Sequence, residues 1–129
     1  MSVWTRDELA KIGAAEELKL ASRRSDATPQ EPVTIWVVRH GDDLYVRSMK
    51  GSNGLWYRRT QKHHEGNIRA GGVEKDVTFV DASHDLDDQL DAAYRDKYHQ
   101  YGARYVDPIV SAEARGTTIK LIPRSDRLR

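Results

Sequence analysis

The run Pro32-Val33-Thr34-Ile35-Trp36-Val37-Val38-Arg39, the break His40-Gly41-Asp42-Asp43 and the resumption Leu44-Tyr45-Val46-Arg47-Ser48 decide how this chain folds. Both runs are rich in β-branched and aromatic residues, which fit a pleated, half-buried surface. A Gly-Asp turn between two such runs is the short-range signature of a β-hairpin. Pro32 lacks an amide hydrogen for a strand ladder, so it belongs at a strand's first position or on an edge.

Working outward, Thr5-Arg6-Asp7-Glu8 has the form of a capping box and opens a short helix that Gly13 stops, with Trp4 packed just before it. Glu17 to Ser22 alternates polar and apolar residues and reads as a half-buried strand, and Ser25 to Glu31 as a loop. Downstream, Leu55 to Lys62 reads as one or two helical turns. Gly66 to Val73 reads as a second hairpin turned by Gly71 and Gly72, with a return strand over Glu74 to Val80. Ser83 can cap a helix that runs to Tyr101 and ends at Gly102, with Leu86, Leu90, Ala93, Lys97 and Tyr101 on one face. Tyr105 to Ala114 forms a further short helix, Thr117 to Pro123 a last strand, and Ser125 to Arg129 a basic tail.

About six short strands with one substantial helix and no strand–helix–strand repeat predict a mainly β protein with flanking helices (α+β), built as a small closed or nearly closed barrel. At 129 residues a single domain over 1–129 is expected: an N-terminal helix in 1–15, barrel strands in 17–80 and 117–123, and the long helix in 83–102. The absence of cysteine excludes disulfides, thiol chemistry and Cys-based zinc sites. No apolar run approaches the roughly 18 residues of a membrane span. The N-terminus is polar and acidic where a signal peptide needs an apolar stretch, so a cytoplasmic protein is expected.

Charge is segregated. From Arg47 to Arg69 there are six Lys and Arg against the single acid Glu65, a local balance of +5 in a chain of net charge +1. From Asp81 to Asp107 there are seven acids and three bases. The basic segment begins with Arg47-Ser48-Met49-Lys50-Gly51-Ser52-Asn53-Gly54-Leu55-Trp56-Tyr57-Arg58-Arg59, which combines glycines, hydroxyls, two aromatics and four cations. Gly51 and Gly54 let backbone approach a ligand, and Ser48, Ser52 and loop amides can donate to phosphate oxygens. Lys50 adds a point charge, Arg58 or Arg59 can grip an anion with two donors, and Trp56 and Tyr57 can stack on a flat ring. The bland counterpart is a flexible turn beside a core tryptophan. The Gly-Lys-Ser/Thr order of a P-loop is absent.

Other features carry less. His63 and His64 are adjacent and point apart, so no metal site is expected. Arg58 to His64 could touch nucleic acid with Trp56 and Tyr57 as stacking platforms, but the acids of the following helix argue against that partner. Tyr94, Tyr98, Tyr101 and Tyr105 recur at helical spacing and are expected to pack on the barrel or on a partner subunit. Asp87, Asp88 and Asp91 are expected to face solvent. No Ser/His/Asp or paired-carboxylate arrangement stands out.

The order of hairpin, Ser48-Lys50-Gly51 loop, Trp56-Tyr57-Arg58 turn and short Gly-rich hairpin resembles the split-barrel proteins, among them pyridoxamine-phosphate-oxidase-like flavoproteins and deazaflavin-dependent nitroreductases. Over Pro32–Ser48, Trp56–Arg59, Ile68–Phe79 and Ala93–Tyr98 the chain is also similar to a family of small bacterial proteins known only as a domain of unknown function. The split-barrel resemblance implies an FMN-binding-split-barrel-like fold, a homodimer, and FMN or a deazaflavin as a phosphate-bearing ligand held by Ser48, Lys50, Gly51, Ser52, Trp56, Tyr57, Arg58 and Arg59. It implies a flavin- or deazaflavin-dependent oxidoreductase if the protein is an enzyme. The nitroreductase pattern has Asn where this chain has Arg58, and a non-catalytic ligand-binding or protein-interaction domain with a degenerate pocket is the alternative.

Overall fold

The computed structural model describes residues 3–22 and 31–124. The strands are β1 (Leu18–Ser22), β2 (Val33–Ile35), β3 (Val38–His40), β4 (Asp43–Val46), β5 (Glu65–Ala70), β6 (Val73–Asp81) and β7 (Ile119–Pro123). The helices are α1 (Arg6–Ala14), α2 (Leu55–Lys62), α3 (Asp87–Tyr98), α4 (Ala103–Ile109) and α5 (Ala112–Arg115). The described strands form one antiparallel sheet in the order β2-β1-β5-β6-β7-β4-β3. The loop expected over Ser25–Glu31 lies, apart from Glu31, outside the described residues, as does the tail Ser125–Arg129.

The run from Pro32 to Arg39 is not the single strand that its composition suggests. It breaks at Trp36-Val37 into β2, which pairs with β1, and β3, which pairs with β4. These are the two edges of the sheet, so one stretch of chain supplies both. Ile35 and Val38 are three Cα steps apart, at most about 11 Å at 3.8 Å per step. A seven-stranded sheet whose edges lie that close must curl round on itself. It stays open because no ladder joins β2 to β3 among the described residues.

The interior follows from strand alternation. Leu18, Leu20, Leu44, Val46, Ile68, Val77, Phe79, Ile119 and Leu121 point inward and are buried together. One end of this core is filled by α1. Its capping box forms as expected, with the Glu8 amide 3.1 Å from the Thr5 hydroxyl and the Thr5 amide 2.9 Å from the Glu8 carboxylate. Leu9 and Ile12 enter the core with Trp4, whose indole donates to the Leu121 carbonyl at 3.0 Å. Gly71 in the β5–β6 turn has φ +57, and a Cβ there would lie 2.3 Å from the Lys11 carbonyl, so glycine is required both by conformation and by the closeness of α1.

A second apolar layer lies outside the sheet. Leu90, Tyr94 and Tyr98 of α3 pack with Val106 and Ile109 of α4 on Val38 and Tyr45. The helix expected over Ser83–Tyr101 is α3 flanked by 3-10 turns at His84–Leu86 and His99–Tyr101. Its buried face is Leu90, Asp91, Tyr94 and Tyr98, turned from the expected face, whose Tyr101 is exposed. The helix expected over Tyr105–Ala114 is two, α4 and α5, separated just after Pro108. Among the described residues no helix is long and apolar enough to cross a membrane.

The open seam is fastened by α3. The Tyr98 hydroxyl accepts the Val37 amide hydrogen at 3.2 Å and lies 2.7 Å from the Glu16 carbonyl and 3.1 Å from the Val37 carbonyl, to one of which it donates. Lys97 Nζ donates to the Val37 carbonyl at 2.7 Å, and burial pushes this ammonium down to about 8. Trp36 stacks on the Tyr98 ring at 3.9 Å between centroids. Tyr98→Phe keeps the stack but leaves the buried Val37 amide without an acceptor. Urea denaturation should show a loss of about 1–3 kcal/mol with little change in the slope m.

Candidate functional site

The segment between β4 and α2 is built on a buried cation. Arg47 is 1% exposed. Its Nη1 donates to Asp91 at 2.5 Å and to the Ile109 carbonyl at 3.1 Å, its Nε to Thr118 at 2.9 Å, and its Nη2 to the Asp87 carbonyl at 3.3 Å. Asp91 also accepts from Arg115, whose Nε is 2.9 Å away. Burial would raise the Asp91 pKa, but the hydrogen bonds and charges of Arg115 and Arg47 outweigh it and hold the carboxyl below its ordinary range. Asp91 is thus 2% exposed rather than solvated, because it neutralises a guanidinium that the fold has drawn inside. Arg47, counted with the basic stretch in the sequence, is a structural residue.

After this anchor the chain makes a tight turn. The Ser48 amide donates to Thr117 Oγ1 at 2.9 Å, the Gly51 amide to the Ser48 carbonyl at 3.0 Å, and the Gly54 amide to the Gly51 carbonyl at 3.1 Å. The glycine-bearing stretch forms a 3-10 turn over Gly51–Asn53, entered at Gly51 with φ +62. A Cβ on Gly54 would come 2.3 Å from the Ser48 hydroxyl, so glycine lets the turn close on that side chain. These three amides are committed to the turn, so the phosphate-cradling role expected of the loop backbone does not fall to them.

The turn leads into α2, which begins at Leu55 as expected. Trp56 and Tyr57 are half-buried against the barrel core and meet edge to face, 6.4 Å between centroids. Burial pushes the Tyr57 hydroxyl up, with a further contribution from Asp81.

Between this turn and β2 lies a cavity of about 380 Å³. Val33, Thr34, Ile35 and Trp36 line it from β2 and the strand break, Ser48, Met49, Lys50, Gly54, Leu55 and Trp56 from the turn and α2, and Arg47, Ile109 and the acidic Glu17 complete the lining. Its size falls within the roughly 300–1,000 Å³ range of small-molecule sites. Of the expected ligand-holding residues, Ser48, Lys50 and Trp56 line it. Gly51 is buried in the supporting turn, beside Glu113, and Ser52 faces solvent on its outside. Arg58 and Arg59 lie in an adjoining surface depression with Lys62, and Leu55 borders both hollows. Lys50, Arg58, Arg59 and Lys62 form no ion pair among the described residues.

Sequence reasoning misses the β2 wall. Its residues read as part of one continuous strand and imply packing, and nothing in that stretch marks them as a cavity wall. A planar ring fits the cavity chemically: two indoles and an aliphatic strand offer apolar faces, and Lys50 offers a cation at the same hollow.

An antiparallel sheet curled to an open seam, plugged by a helix and carrying a cavity beside one edge strand, is a split barrel. The chain belongs to the family described as "Uncharacterized protein conserved in bacteria (DUF2255)", whose sequence profile matches residues 8–121. Its fold is similar to that of HutZ, a heme storage protein from Vibrio cholerae, with a TM-score of 0.66, 13% identity and coverage of 98% of this chain and 93% of that one. A FAD-binding protein from Mesorhizobium loti matches with a TM-score of 0.55, 13% identity and coverage of 96% and 92%. An F420 reductase matches with a TM-score of 0.52, 14% identity and coverage of 90% of both chains. No curated protein matches the sequence.

The buried network makes a testable demand. Asp91→Asn removes the charge that faces Arg47 and Arg115, and should destabilise the protein by about 3–5 kcal/mol in urea at neutral pH. The Asp91 pKa is depressed in the folded state. Its contribution is therefore full above the unfolded carboxylate value of about 3.9 and disappears as pH falls toward the folded one. The stability gap between wild type and Asp91→Asn should narrow on acidification over that interval.

Proposed function

We propose that this protein binds a flavin-type cofactor, FMN or a deazaflavin, in the cavity between β2 and the Ser48–Trp56 turn. The observation that carries this reading is the coincidence, in one hollow of about 380 Å³, of two indoles, an aliphatic wall and the cation Lys50. Trp36 and Trp56 would hold its ring, and Lys50, with Arg58 and Arg59 beyond Leu55, would take its anionic tail. Ser48 and Gly51 shape the turn, Ser52 reaches a ligand only at the outer rim, and Tyr57 backs Trp56. Two proteins of similar fold, described as FAD-binding and as an F420 reductase, support a ring cofactor in such a barrel.

When bound, such a cofactor supplies hydride or electron transfer, and the chain's own residues bind it, orient it and keep water from one face. An enzyme built this way is a flavin- or deazaflavin-dependent oxidoreductase of the nitroreductase type, acting in the cytoplasm. Met49 and Leu55, 42% and 62% exposed at the cavity rim, are the apolar surface that a second protomer of a homodimer would cover.

One observation favours a second reading. The Ser48, Gly51 and Gly54 amides and the Arg47 guanidinium are all internally committed, which leaves Lys50 as the cavity's unpaired anion-binding side chain among the described residues. A ligand-binding or protein-interaction domain without redox chemistry needs no more than that.

Titration of purified protein with FMN, and separately with a deazaflavin cofactor, followed by tryptophan quenching distinguishes the readings. Saturable quenching is expected. Lys50→Ala combined with Arg58→Ala should weaken it by about 10- to 100-fold for each charge-assisted hydrogen bond removed. The affinity should also fall with added salt. No quenching by either cofactor, with no chromophore carried through purification, overturns the redox reading in favour of the second one.

A further inference from the structure

Glu17 is the acid in the lining of the cavity, and the sheet register puts it beside Trp36. In the β1–β2 ladder Leu18 faces Ile35 and Lys19 faces Thr34, so one further step brings Glu17 opposite Trp36. The two segments are still together a step later, where the carbonyls of Glu16 and Val37 lie 2.7 and 3.1 Å from the one Tyr98 hydroxyl. Alternation puts Glu17 and Trp36 on the same face as Lys19 and Thr34, while Leu18 and Leu20 turn into the core. Opposed residues on one face have their Cβ atoms about 4.5–5.5 Å apart, so the carboxylate and the indole are neighbours. Tyr98 covers one ring face of Trp36 at 3.9 Å with the planes 4° apart, and Trp36 lines the cavity with what remains. Glu17 is exposed and forms no ion pair among the described residues. Lys97, the cation that reaches this part of the seam, donates to the Val37 carbonyl, and the acid acting on it is Glu16.

We propose that Glu17 and Trp36 form a subsite for an organic cation, a quaternary ammonium or a similar weakly hydrated group, within the cavity. Indole offers a cation the best of the aromatic faces, and the carboxylate beside it supplies the opposite charge. Val33 and Ile35 in the same lining receive the alkyl groups that such a cation carries. A metal ion does not fit the corner, because one carboxylate supplies too few of the oxygen ligands it needs, and no group of three or more His, Cys, Asp or Glu that could hold one occurs among the described residues. A primary ammonium is strongly hydrated and loses more on entering an apolar hollow. An anion is repelled by Glu17 and belongs with Lys50, which enters the lining from the turn. The inference goes beyond the cofactor reading and does not rest on it, since neither Lys50 nor the α2 cations take part.

Choline and its neutral tert-butyl isostere, in which carbon replaces the quaternary nitrogen, separate charge from shape. Titration of the purified protein with each, followed by the indole N–H signals in proton–nitrogen NMR spectra, tests the subsite without a cofactor. Choline should shift the Trp36 signal saturably, that signal being assigned by its loss in Trp36→Phe. It should bind about 10-fold more tightly than the isostere. Glu17→Gln should remove the preference and leave the affinity for the isostere unchanged, with circular dichroism confirming the fold. Glu16→Gln, which removes the adjacent charge that acts on Lys97, should keep the preference. Equal binding of the two probes, a preference that survives Glu17→Gln or is lost equally in Glu16→Gln, or no shift of Trp36 by choline would overturn the subsite. A failure of FMN to bind overturns the cofactor reading alone, because no step of this titration uses FMN.

Discussion

The fold rests on a gap that is closed by a side chain. Strands β2 and β3 end the sheet from opposite sides, yet they are consecutive in the chain, so their backbones meet without pairing. Unpaired backbone groups at a buried seam are costly, which is why barrels ordinarily close with hydrogen bonds. Here Tyr98 and Lys97 bring polar groups in from α3 and satisfy the amide and carbonyl of Val37. The helix is therefore part of the barrel's closure as well as its outer cover. Because β2 is attached to β3 only through Trp36 and Val37, the cavity wall that β2 forms is positioned by that same fastening.

The buried Arg47–Asp91–Arg115 network is the second fixed point, and it has a different justification. A buried ion pair is weak evidence of stabilisation, since desolvation offsets most of the attraction. What this network does is geometric. It ties the end of β4 to α3, to α4 through the Ile109 carbonyl and to the start of β7 through Thr118. Thr117, next in line, holds the Ser48 amide. The turn that forms one side of the cavity is thus positioned from beneath by polar contacts that apolar packing could not aim as specifically.

Legibility in the sequence follows interaction range. The capping box at Thr5–Glu8, the Gly71-Gly72 turn and α2 depend on neighbours a few residues away, and each is readable from its own letters. The break at Trp36-Val37 is not, because nothing local distinguishes a continuous strand from one whose halves join opposite edges of a sheet. The same applies to charge. Counting residues places Arg47 with Lys50 and Asp91 with Asp88. The structure gives the members of each pair different surroundings, since Arg47 and Asp91, 44 positions apart, meet in the interior while Lys50 and Asp88 stay exposed. The expected binding residues form one contiguous group in the sequence, but a helical turn spreads neighbours around an axis. Trp56 therefore lines the cavity while Arg58 and Arg59 border the next hollow.

That separation changes the electrostatics of the site. Of the six cations between residues 47 and 69, Arg47 is neutralised inside, and Arg69 lies 3.8 Å from Glu74 at the far hairpin. Besides Arg47, the charged residues at the cavity are Lys50 and the acidic Glu17, and the α2 cations Arg58, Arg59 and Lys62 lie at the adjoining hollow. Arg59 and Lys62 occupy the last turn of α2, where the helix dipole favours positive charge, so their presence has a structural reason as well. Arg58 and Lys50 are not explained that way. They stand nearer the start of the helix, where the dipole disfavours a cation, and both stand beside the hollows that Leu55 divides. These two charges are the part of the basic stretch whose placement the fold alone does not account for, and an anionic ligand beside Trp56 would account for both.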